Sequence, residues 1–320
     1  MDTSLYNSDV GVLKYRHISK AADEIVEYID SRRKGSIKSL ATRWDKFNNQ
    51  CMGGIEPNTI YTIAGISGSG KSSFVNSLET DLFDLNPTAD FVILSFNFEM
   101  LASKQVGRKL SYKMSKTVQE LYSGMSGTNL SDEDFAIAKI EANNTKKYPI
   151  YYVDIPGTVD QIKNTIIKFS NEPFVKGKWL VILLDHTLLT KGKGGDKERE
   201  VLTDLQHMFM IIKKFDMNTI IQLSQMNRDI EDKERINNPL LHFPMRRDIF
   251  GSEAVYQASD YVFVLHRPEL LNIKAYGPEV WPVQNLIYMH FIKNREGDLK
   301  IIRFINNLKY NRIDEYVATK

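Results

Sequence analysis

Residues 65–72, which read GISGSGKS, constrain the fold of this chain more than any other stretch. They match the phosphate-binding pattern G-x-x-x-x-G-K-[ST] at every fixed position. Residues 59–64 before them are β-branched and apolar, as in a buried strand, and residues 73–78 after them begin a helical pattern. A strand, a glycine-rich turn and a helix in this order point successive backbone N–H groups at one anion. The stretch therefore predicts a nucleoside triphosphate site. The alternative is a Gly/Ser-rich turn that matches by chance.

The residue types of the loop predict separate roles within it. Lys71 is expected to reach the β- and γ-phosphates, and the Ser72 hydroxyl is expected to bind Mg²⁺. The positive end of the following helix dipole adds to the attraction for phosphate. The residues predicted to bind the nucleotide are Gly65, Ser67, Gly68, Ser69, Gly70, Lys71, Ser72 and Ser73.

Composition excludes several other classes of protein. Hydrophobic residues make up 42% and charged residues 26% of the chain, which is typical of a globular protein with a sizeable core. The net charge of +2 gives no overall signal for nucleic acid, so any such binding must come from local patches. A single cysteine, Cys51, allows no intrachain disulfide. The chain starts without a secretory signal, and its longest apolar runs are too short to span a bilayer. A cytoplasmic protein with no membrane partner is expected.

Short apolar strands alternate with helices after the loop. The periodicity predicts strands at 91–96, 150–153, 180–184, 218–223 and 261–265. It predicts helices at 103–114, 131–143, 159–169 and 198–215. A late hairpin, made of residues 286–292 and 300–305, is expected around a Glu-Gly-Asp turn. This order predicts an α/β fold with a mostly parallel sheet and helices on both faces.

The first 40 residues are expected to form an N-terminal arm and a helix, and residues 41–320 one further domain. Residues 18–33 read as an amphipathic helix that Gly35 ends. The helix either packs on its own domain or docks on a neighbouring subunit, and its pattern does not decide between the two. Its apolar stripe consists of Ala21, Ala22, Ile25, Val26 and Ile29.

Hydrolysis of a bound nucleotide also requires acidic and sensing groups. Asp185 ends an apolar strand at the edge where α/β sheets bind ligands, which predicts a metal-side acid. Glu99 follows the preceding strand and is a candidate general base. Gln225, at the end of a later strand, is a candidate γ-phosphate sensor. The competing interpretations are a turn-capping acid for Asp185, a solvated loop acid for Glu99 and a buried structural amide for Gln225.

Six further blocks follow one another along the chain. They are MGGIEP at 52–57, FNFEM at 96–100, LDH at 184–186, LSQMNR at 223–228, VFVLHR at 262–267 and FIKNREG at 291–297. In this order they resemble the ATPase domain of DnaB-type replicative helicases, a RecA-like fold, and the resemblance runs from about residue 18 to 310. It implies ATP and Mg²⁺ as cofactors, with Glu99 as catalytic base, Asp185 as metal-binding acid and Gln225 as sensor. A His, His186, stands where a Tyr is usual in that family.

The last block carries an expectation about assembly. In the family, its Lys-x-Arg pair reaches the γ-phosphate of the adjacent subunit as an arginine finger. Here the pair is Lys293 and Arg295. The resemblance therefore implies a homo-oligomer, typically a hexamer, with head-to-tail interfaces and with the helix at 18–33 packed on a neighbour. A charged hairpin on a solvated edge is the alternative.

Two basic stretches correspond to the DNA-binding loops of the family. Lys191 and Lys193 lie on a glycine-rich segment suited to backbone phosphates of single-stranded DNA. Arg246 and Arg247 lie in the stretch at 245–254 that corresponds to the second loop, where this chain departs from the family, and they are expected to supply phosphate contacts from displaced positions. Residues 250–253 read FGSE in place of the usual Arg-Glu-Ser-Gly. Solvated charged loops are the alternative for both stretches.

The expected function is that of an ATP-dependent, ring-forming DNA helicase that translocates on single-stranded DNA during replication. The family's bacterial members carry a large N-terminal domain that engages primase and loader, and only about 40 residues precede the ATPase block here. That architecture is typical of a phage or mobile-element form. The alternative is a RecA-like DNA-binding ATPase without unwinding activity, either a recombination mediator or a nucleotide-dependent assembly switch.

Overall fold

A computed structural model describes residues 15–125, 127–187, 190, 192, 197–215 and 217–317. Within these residues a single nine-stranded sheet runs through the molecule. The strands are β1 (Ile60–Ala64), β2 (Phe91–Asn97), β3 (Ile150–Val153), β4 (Trp179–Asp185), β5 (Asn218–Ser224), β6 (Tyr261–His266), β7 (Leu286–Asn294), β8 (Ile301–Asn307) and β9 (Arg312–Glu315). Their order in the sheet is β3-β2-β4-β5-β1-β6-β7-β8-β9. The first six strands in this order run parallel to one another, and β7, β8 and β9 each run antiparallel to the strand before them.

Helices cover both faces of the sheet. The helices are α1 (Ile18–Arg33), α2 (Asp45–Gln50), α3 (Lys71–Leu85), α4 (Ala102–Met114), α5 (Val118–Tyr122), α6 (Asp132–Thr145), α7 (Val159–Ser170), α8 (Glu198–Ile212), α9 (Lys233–Asn237) and α10 (Ser252–Ala258). Alternate residues of β1 enter two different cores. Tyr61 and Ile63 join the core that includes residues of α2 and α3, whereas Ile60 and Ala64 join the core formed with α7, α8 and α10. The predicted α/β fold with a mostly parallel sheet is therefore confirmed.

Full burial of the central strands explains the long apolar runs in β2, β4 and β6. Every residue of β1, β2, β4, β5 and β6 is buried, because helices lie above and below them. The predicted late hairpin is present as β7 and β8, and β9 extends it by one strand that the sequence pattern did not indicate. Within the described residues, no helix is both long and apolar enough to cross a membrane.

The prediction for the helix at 198–215 was three residues too long. The helix ends at Ile212 because the side chain of Asn218 donates hydrogen bonds to the carbonyls of Ile212, at 3.1 Å, and Phe215, at 2.6 Å. Those carbonyls lie at a helix end, where they would otherwise have no intrahelical partner.

Helix α1 stands apart from both cores. None of its residues is buried, and Ile25, Val26 and Ile29 are 52%, 66% and 57% exposed. The helix is attached near its C-terminus, where Arg32 donates to the carbonyl of Met52 at 3.1 Å and forms an ion pair with Glu56. Its predicted apolar stripe is thus real, and the stripe is left exposed by the described residues of its own domain.

Candidate functional site

The glycine-rich loop joins β1 to α3 at the carboxyl edge of the parallel strands. Gly68 and Gly70 have φ angles of +75° and +104°, which favour glycine. A Cβ atom on Gly65 would lie 2.3 Å from the hydroxyl of Ser69 and 2.7 Å from the carbonyl oxygen of Leu265. Glycine is therefore required here by backbone conformation at two positions and by close packing at the third.

Lys71 is the buried cation of this loop. Its ammonium group donates to the carbonyls of Gly65, at 2.7 Å, and Ile66, at 3.0 Å. Burial lowers the pKa of Lys71 to about 8, although the carboxylates of Asp185 and Glu99 act in the opposite direction. The hydroxyl of Ser69 is buried without a hydrogen-bond partner among the described residues. A polar atom in that condition is what a bound anion would satisfy.

Two acids come from neighbouring parallel strands. Strands β2 and β4 pair with Asn97 opposite Asp185, so both strands end at the same edge. Asp185 is 7% exposed and accepts a hydrogen bond from Ser72. Burial raises the pKa of Asp185 to about 6, with a further contribution from Glu99, while Ser72 and nearby cations lower it. Glu99 is exposed, two residues beyond the end of β2.

A single cleft of about 390 Å³ gathers most of the predicted site residues. It also contains four side chains to which the sequence assigned no role. Three of these are Arg108, Arg267 and Leu308, and the fourth is His186, whose pKa is lowered by burial. The lining residues are Ser67, Gly68, Gly70, Lys71, Ser72, Ser73, Glu99, Arg108, Asp185, His186, Gln225, Arg267 and Leu308.

Arg108 and Arg267 are the functional candidates that sequence reasoning missed. Arg108 lies on α4, nine residues after Glu99, and lowers the pKa of Asp185 through its charge. Arg267 follows β6 and donates to the carbonyl of Gly68 at 2.8 Å. In the sequence, Arg108 is recognisable only as a basic residue on the predicted helix that follows Glu99. Arg267 belongs to the block VFVLHR, but that block by itself assigned no catalytic or binding role.

The cleft fits a nucleotide and a hard divalent cation. It presents the positive charges of Lys71, Arg108 and Arg267 to an anion, while the loop offers the unpartnered hydroxyl of Ser69. Ser72 and Asp185 supply oxygen ligands of the kind that Mg²⁺ prefers. No group of three His, Cys, Asp or Glu residues is placed to bind a metal in the described part of the chain. A metal bound here would therefore take its remaining ligands from phosphate and water.

Gln225 connects this cleft to the segment that follows β5. Its side chain lines the cleft, and its carbonyl accepts the backbone N–H of Phe250 at 3.0 Å. Met226 forms a β-bridge with Ile249, and the N–H of Asn227 donates to the carbonyl of Asp248 at 2.6 Å. The predicted sensor is thus hydrogen-bonded to the stretch that contains the predicted second DNA loop.

Lys293 and Arg295 do not line the cleft of their own chain. Strand β7 runs antiparallel to β6, and Lys293 pairs with Val262 near the start of β6. The cleft lies beyond the other end of β6, so about 13 Å of strand separates the two. Lys293 donates to the carbonyl of Tyr256, and Arg295 donates to that of Gln257 at 3.1 Å. Burial and the charge of Arg295 lower the pKa of Lys293 to about 8.

Comparison with known proteins identifies the family of the chain. A profile of the DnaB-like helicase C terminal domain matches residues 39–315. The chain belongs to this family. It is accordingly a replicative helicase-type ATPase domain, as the six sequence blocks implied. No curated protein sequence matches the chain.

Solved structures show the same fold as this DnaB-like domain. One is an ATPase domain with a TM-score of 0.77 and 18% identity, covering 95% of this chain and 100% of that one. Another is a DnaB-like replicative helicase described with its interactions with primase. Its TM-score is 0.75 and its identity 17%, and the match covers 95% of this chain and 68% of that one. At such identities the likeness concerns the fold.

The candidate DNA-binding residues of the DnaB-like domain are only partly described. Lys191 and Lys193 lie outside the described residues. Arg246 and Arg247 are both exposed on one short turn, Arg246–Asp248. Arg246 forms an ion pair with Glu253, one of the residues that departs from the family pattern, and its guanidinium group lies 4.2 Å from the centre of the Tyr256 ring.

Proposed function

We propose that this DnaB-like chain is one subunit of a ring-forming helicase that hydrolyses ATP and translocates on single-stranded DNA during replication. One observation supports the proposal most directly. The cleft contains Lys71, Ser72, Glu99 and Asp185, whereas Lys293 and Arg295 belong to the opposite edge of the same sheet. A chain of this kind requires a second copy to bring the two cations to the nucleotide.

Within the cleft, each side chain has a proposed task. Lys71 and the N-terminus of α3 bind the phosphates, and Ser72 and Asp185 hold Mg²⁺. A bound Mg²⁺ neutralises charge on the phosphates. Glu99 orients and deprotonates the attacking water as general base. Lys293 and Arg295 of the neighbouring subunit stabilise the charge that develops on the transferred phosphoryl group.

Gln225 is proposed to report the state of the γ-phosphate to the DNA loops. Its carbonyl accepts a hydrogen bond from the N–H of Phe250, and residues 226–227 pair with residues 248–249 through a β-bridge and a further backbone hydrogen bond. A shift of Gln225 would therefore move the turn that carries Arg246 and Arg247. Those arginines, with Lys191 and Lys193, are proposed to bind backbone phosphates without base specificity.

The exposed stripe of α1 supports head-to-tail assembly. An apolar helix face that the described part of its own domain leaves exposed is proposed as a docking surface for another chain. Together with the separated half-sites, it supports head-to-tail contacts between subunits, and the proposed assembly is a closed hexameric ring. Because one structural neighbour is described with primase, a primase is the first protein partner to test.

Mixing two inactive variants of the full chain tests the proposal. Lys71→Ala removes the phosphate-binding cation of the cleft, and Arg295→Ala removes the arginine finger. The DNA-stimulated ATPase activity of each variant alone should therefore be at least about tenfold lower than that of the unmodified chain. Mixed rings should regain part of that activity, because an intact Arg295→Ala cleft meets an intact finger from a Lys71→Ala neighbour.

The matched control mixes Lys71→Ala with Glu99→Gln. Both substitutions damage the same cleft, so this mixture should remain inactive. Full activity of Arg295→Ala alone, or no recovery in the first mixture, would show that the finger does not act between subunits.

A RecA-like DNA-binding ATPase without unwinding activity is the second candidate. The ion pair between Arg246 and Glu253 favours it, because a carboxylate already neutralises one of the proposed DNA-binding arginines. A forked-duplex assay with ATP separates the two candidates. Strand separation supports the helicase, whereas ATP hydrolysis and DNA binding without separation support the alternative.

A further inference from the structure

A buried polar network lies directly behind the nucleotide cleft. It joins the loop helix α3, the strand β2 that leads to Glu99 and the helix α4 that carries Arg108. Each of its five main members is at most 6% exposed. The members are Glu79 on α3, Ser95 and Asn97 on β2, and Gln105 and Lys109 on α4.

Glu79 is the centre of this network. One of its carboxylate oxygens accepts the hydroxyl of Ser95 at 2.6 Å. The other accepts the ammonium of Lys109 and the hydroxyl of Tyr152, the latter at 3.1 Å. Glu79 lies about two helical turns beyond Lys71 on the same helix. Helix α3 is therefore joined to β2, β3 and α4 through the Glu79 carboxylate, whose two oxygens both accept hydrogen bonds.

The network continues to both ends of the segment that carries Glu99. Asn97 donates to Ser95 at 3.0 Å, and Gln105 donates to the side-chain oxygen of Asn97 at 3.1 Å. Asn97 is the last residue of β2, and Gln105 lies in the first turn of α4. The bond between them closes the connecting segment, residues 98–101, across its base.

Stability alone is a weak reason for such an arrangement. A buried ion pair is often no more stabilising than apolar side chains of similar volume, because both charges must leave water. A fully satisfied buried network does, however, restrict its members to one geometry. Here the network fixes the backbone on both sides of the segment that carries Glu99. It also fixes Lys109, the residue next to Arg108 on α4.

We propose that Glu79 and Gln105 are positioning residues that hold Glu99 in place against a nucleotide bound to the loop. This inference rests on the proposed function, in which Glu99 is the general base. Glu79 transmits the position of α3 to β2 and α4, and Gln105 fixes the segment of Glu99 between them. Neither residue lines the cleft, so both act through others.

Gln105→Leu is the test variant, studied in the full chain with single-stranded DNA present. Displacement of a catalytic group by about 1 Å costs up to about a hundredfold in rate, so a loss of at least about tenfold is expected in single-turnover ATP hydrolysis. The affinity for a non-hydrolysable ATP analogue is expected to change less than about twofold, because the loop itself is intact.

Gln206→Leu is the matched control. Gln206 is 1% exposed and exchanges two amide hydrogen bonds with Gln222, at 2.8 and 2.9 Å, in the core on the other side of the sheet. The same substitution there removes the same kind of buried bonds. It should lower thermal stability similarly while leaving the hydrolysis rate near that of the unmodified chain.

A double variant distinguishes positioning from general destabilisation. If Gln105 acts only through Glu99, then Gln105→Leu should cause no further loss in a Glu99→Gln background. Should Gln105→Leu fail to fold, the paired variant Glu79→Gln/Lys109→Met removes both buried charges together and should show the same loss of rate with unchanged affinity.

The outcomes separate the inference from the function on which it rests. Hydrolysis by Gln105→Leu at the unmodified rate, a parallel loss in nucleotide affinity, or an equal loss in the Glu99→Gln background would each overturn the inference. An unmodified chain that binds ATP but never hydrolyses it would overturn the proposed function instead.

Discussion

Lys71 and Asp185 both line the cleft, and their pKa values are displaced in opposite directions. Burial is the main cause for both, because it disfavours the charged form of each group. The pKa of Lys71 falls to about 8, and that of Asp185 rises to about 6. Both groups must be charged to bind a phosphate and a cation. Nucleotide affinity should therefore depend on pH inside the range in which proteins are usually studied.

The affinity for Mg²⁺ with a non-hydrolysable ATP analogue is expected to be highest between pH 6 and pH 8. Phosphate favours protonated Lys71, so affinity should fall as the pH rises through about 8. Mg²⁺ favours ionised Asp185, so affinity should also fall as the pH drops through about 6. Each limb is expected to lose up to about tenfold per pH unit. Calorimetric titration of the full chain from pH 5 to pH 9 measures both limbs.

Asp185→Asn provides the control for this pH dependence. It should flatten the low-pH limb apart from protonation of the nucleotide itself, and it should leave the high-pH limb in place. An affinity that does not change above pH 8 would mean that Lys71 remains protonated in the free chain.

At the scale of elements, β1, β2, β4 and β5 meet at one edge and bring together groups that are distant in sequence. The loop after β1 supplies Lys71, the segment after β2 supplies Glu99, and β4 ends at Asp185. The register between β2 and β4 places their ends side by side. Helix α1 has the opposite character, since the described residues of its own domain leave its apolar face exposed.

Val26→Asp is expected to weaken assembly without lowering the free energy of unfolding of the chain. Val26 is 66% exposed, so the carboxylate lies in water in the free subunit but would be buried at a subunit contact. The mass of the assembly with ATP and single-stranded DNA, measured by light scattering, should decrease. Lys20→Asp places the same carboxylate on the charged face of α1 and should leave the mass unchanged. An unchanged mass for Val26→Asp would remove α1 from the interface.

At the scale of the whole molecule, the sheet separates the two halves of the proposed active site. The antiparallel turn of the chain into β7 places Lys293 and Arg295 near the amino ends of the parallel strands, away from the loop. Both cations instead contact the backbone at the end of α10 in the single chain. A subunit by itself is therefore expected to be a poor ATPase.

The ATPase rate per chain should accordingly rise with protein concentration. Dilution below the range of assembly should reduce it by at least about tenfold, since the contribution of an arginine finger is of that order or larger. The measurement is steady-state phosphate release with single-stranded DNA in excess at every concentration. A rate per chain that is constant on dilution, with light scattering showing monomers, would indicate a complete site within one subunit.

Local sequence predicted those features whose physical cause is local. The strand, loop and helix around Lys71 follow from short-range rules, because glycine conformations, apolar runs and a helix start are encoded within a few residues. The same holds for Asp185, which ends β4, and for Glu99, which follows β2. The short polar strand β9 could not be predicted in this way, because it depends on pairing with β8 rather than on its own pattern.

The sequence by itself thus determined the fold class, the phosphate loop and the family to which the chain belongs. Only the tertiary structure decided which side chains share the cleft, where Arg108 and Arg267 join Lys71. It also decided that Glu79, Gln105 and Lys109 form one buried network, although periodicity marks them only as polar residues on helices. The physical reason is that partner choice for a buried polar group depends on strand order and register, which join residues far apart along the chain.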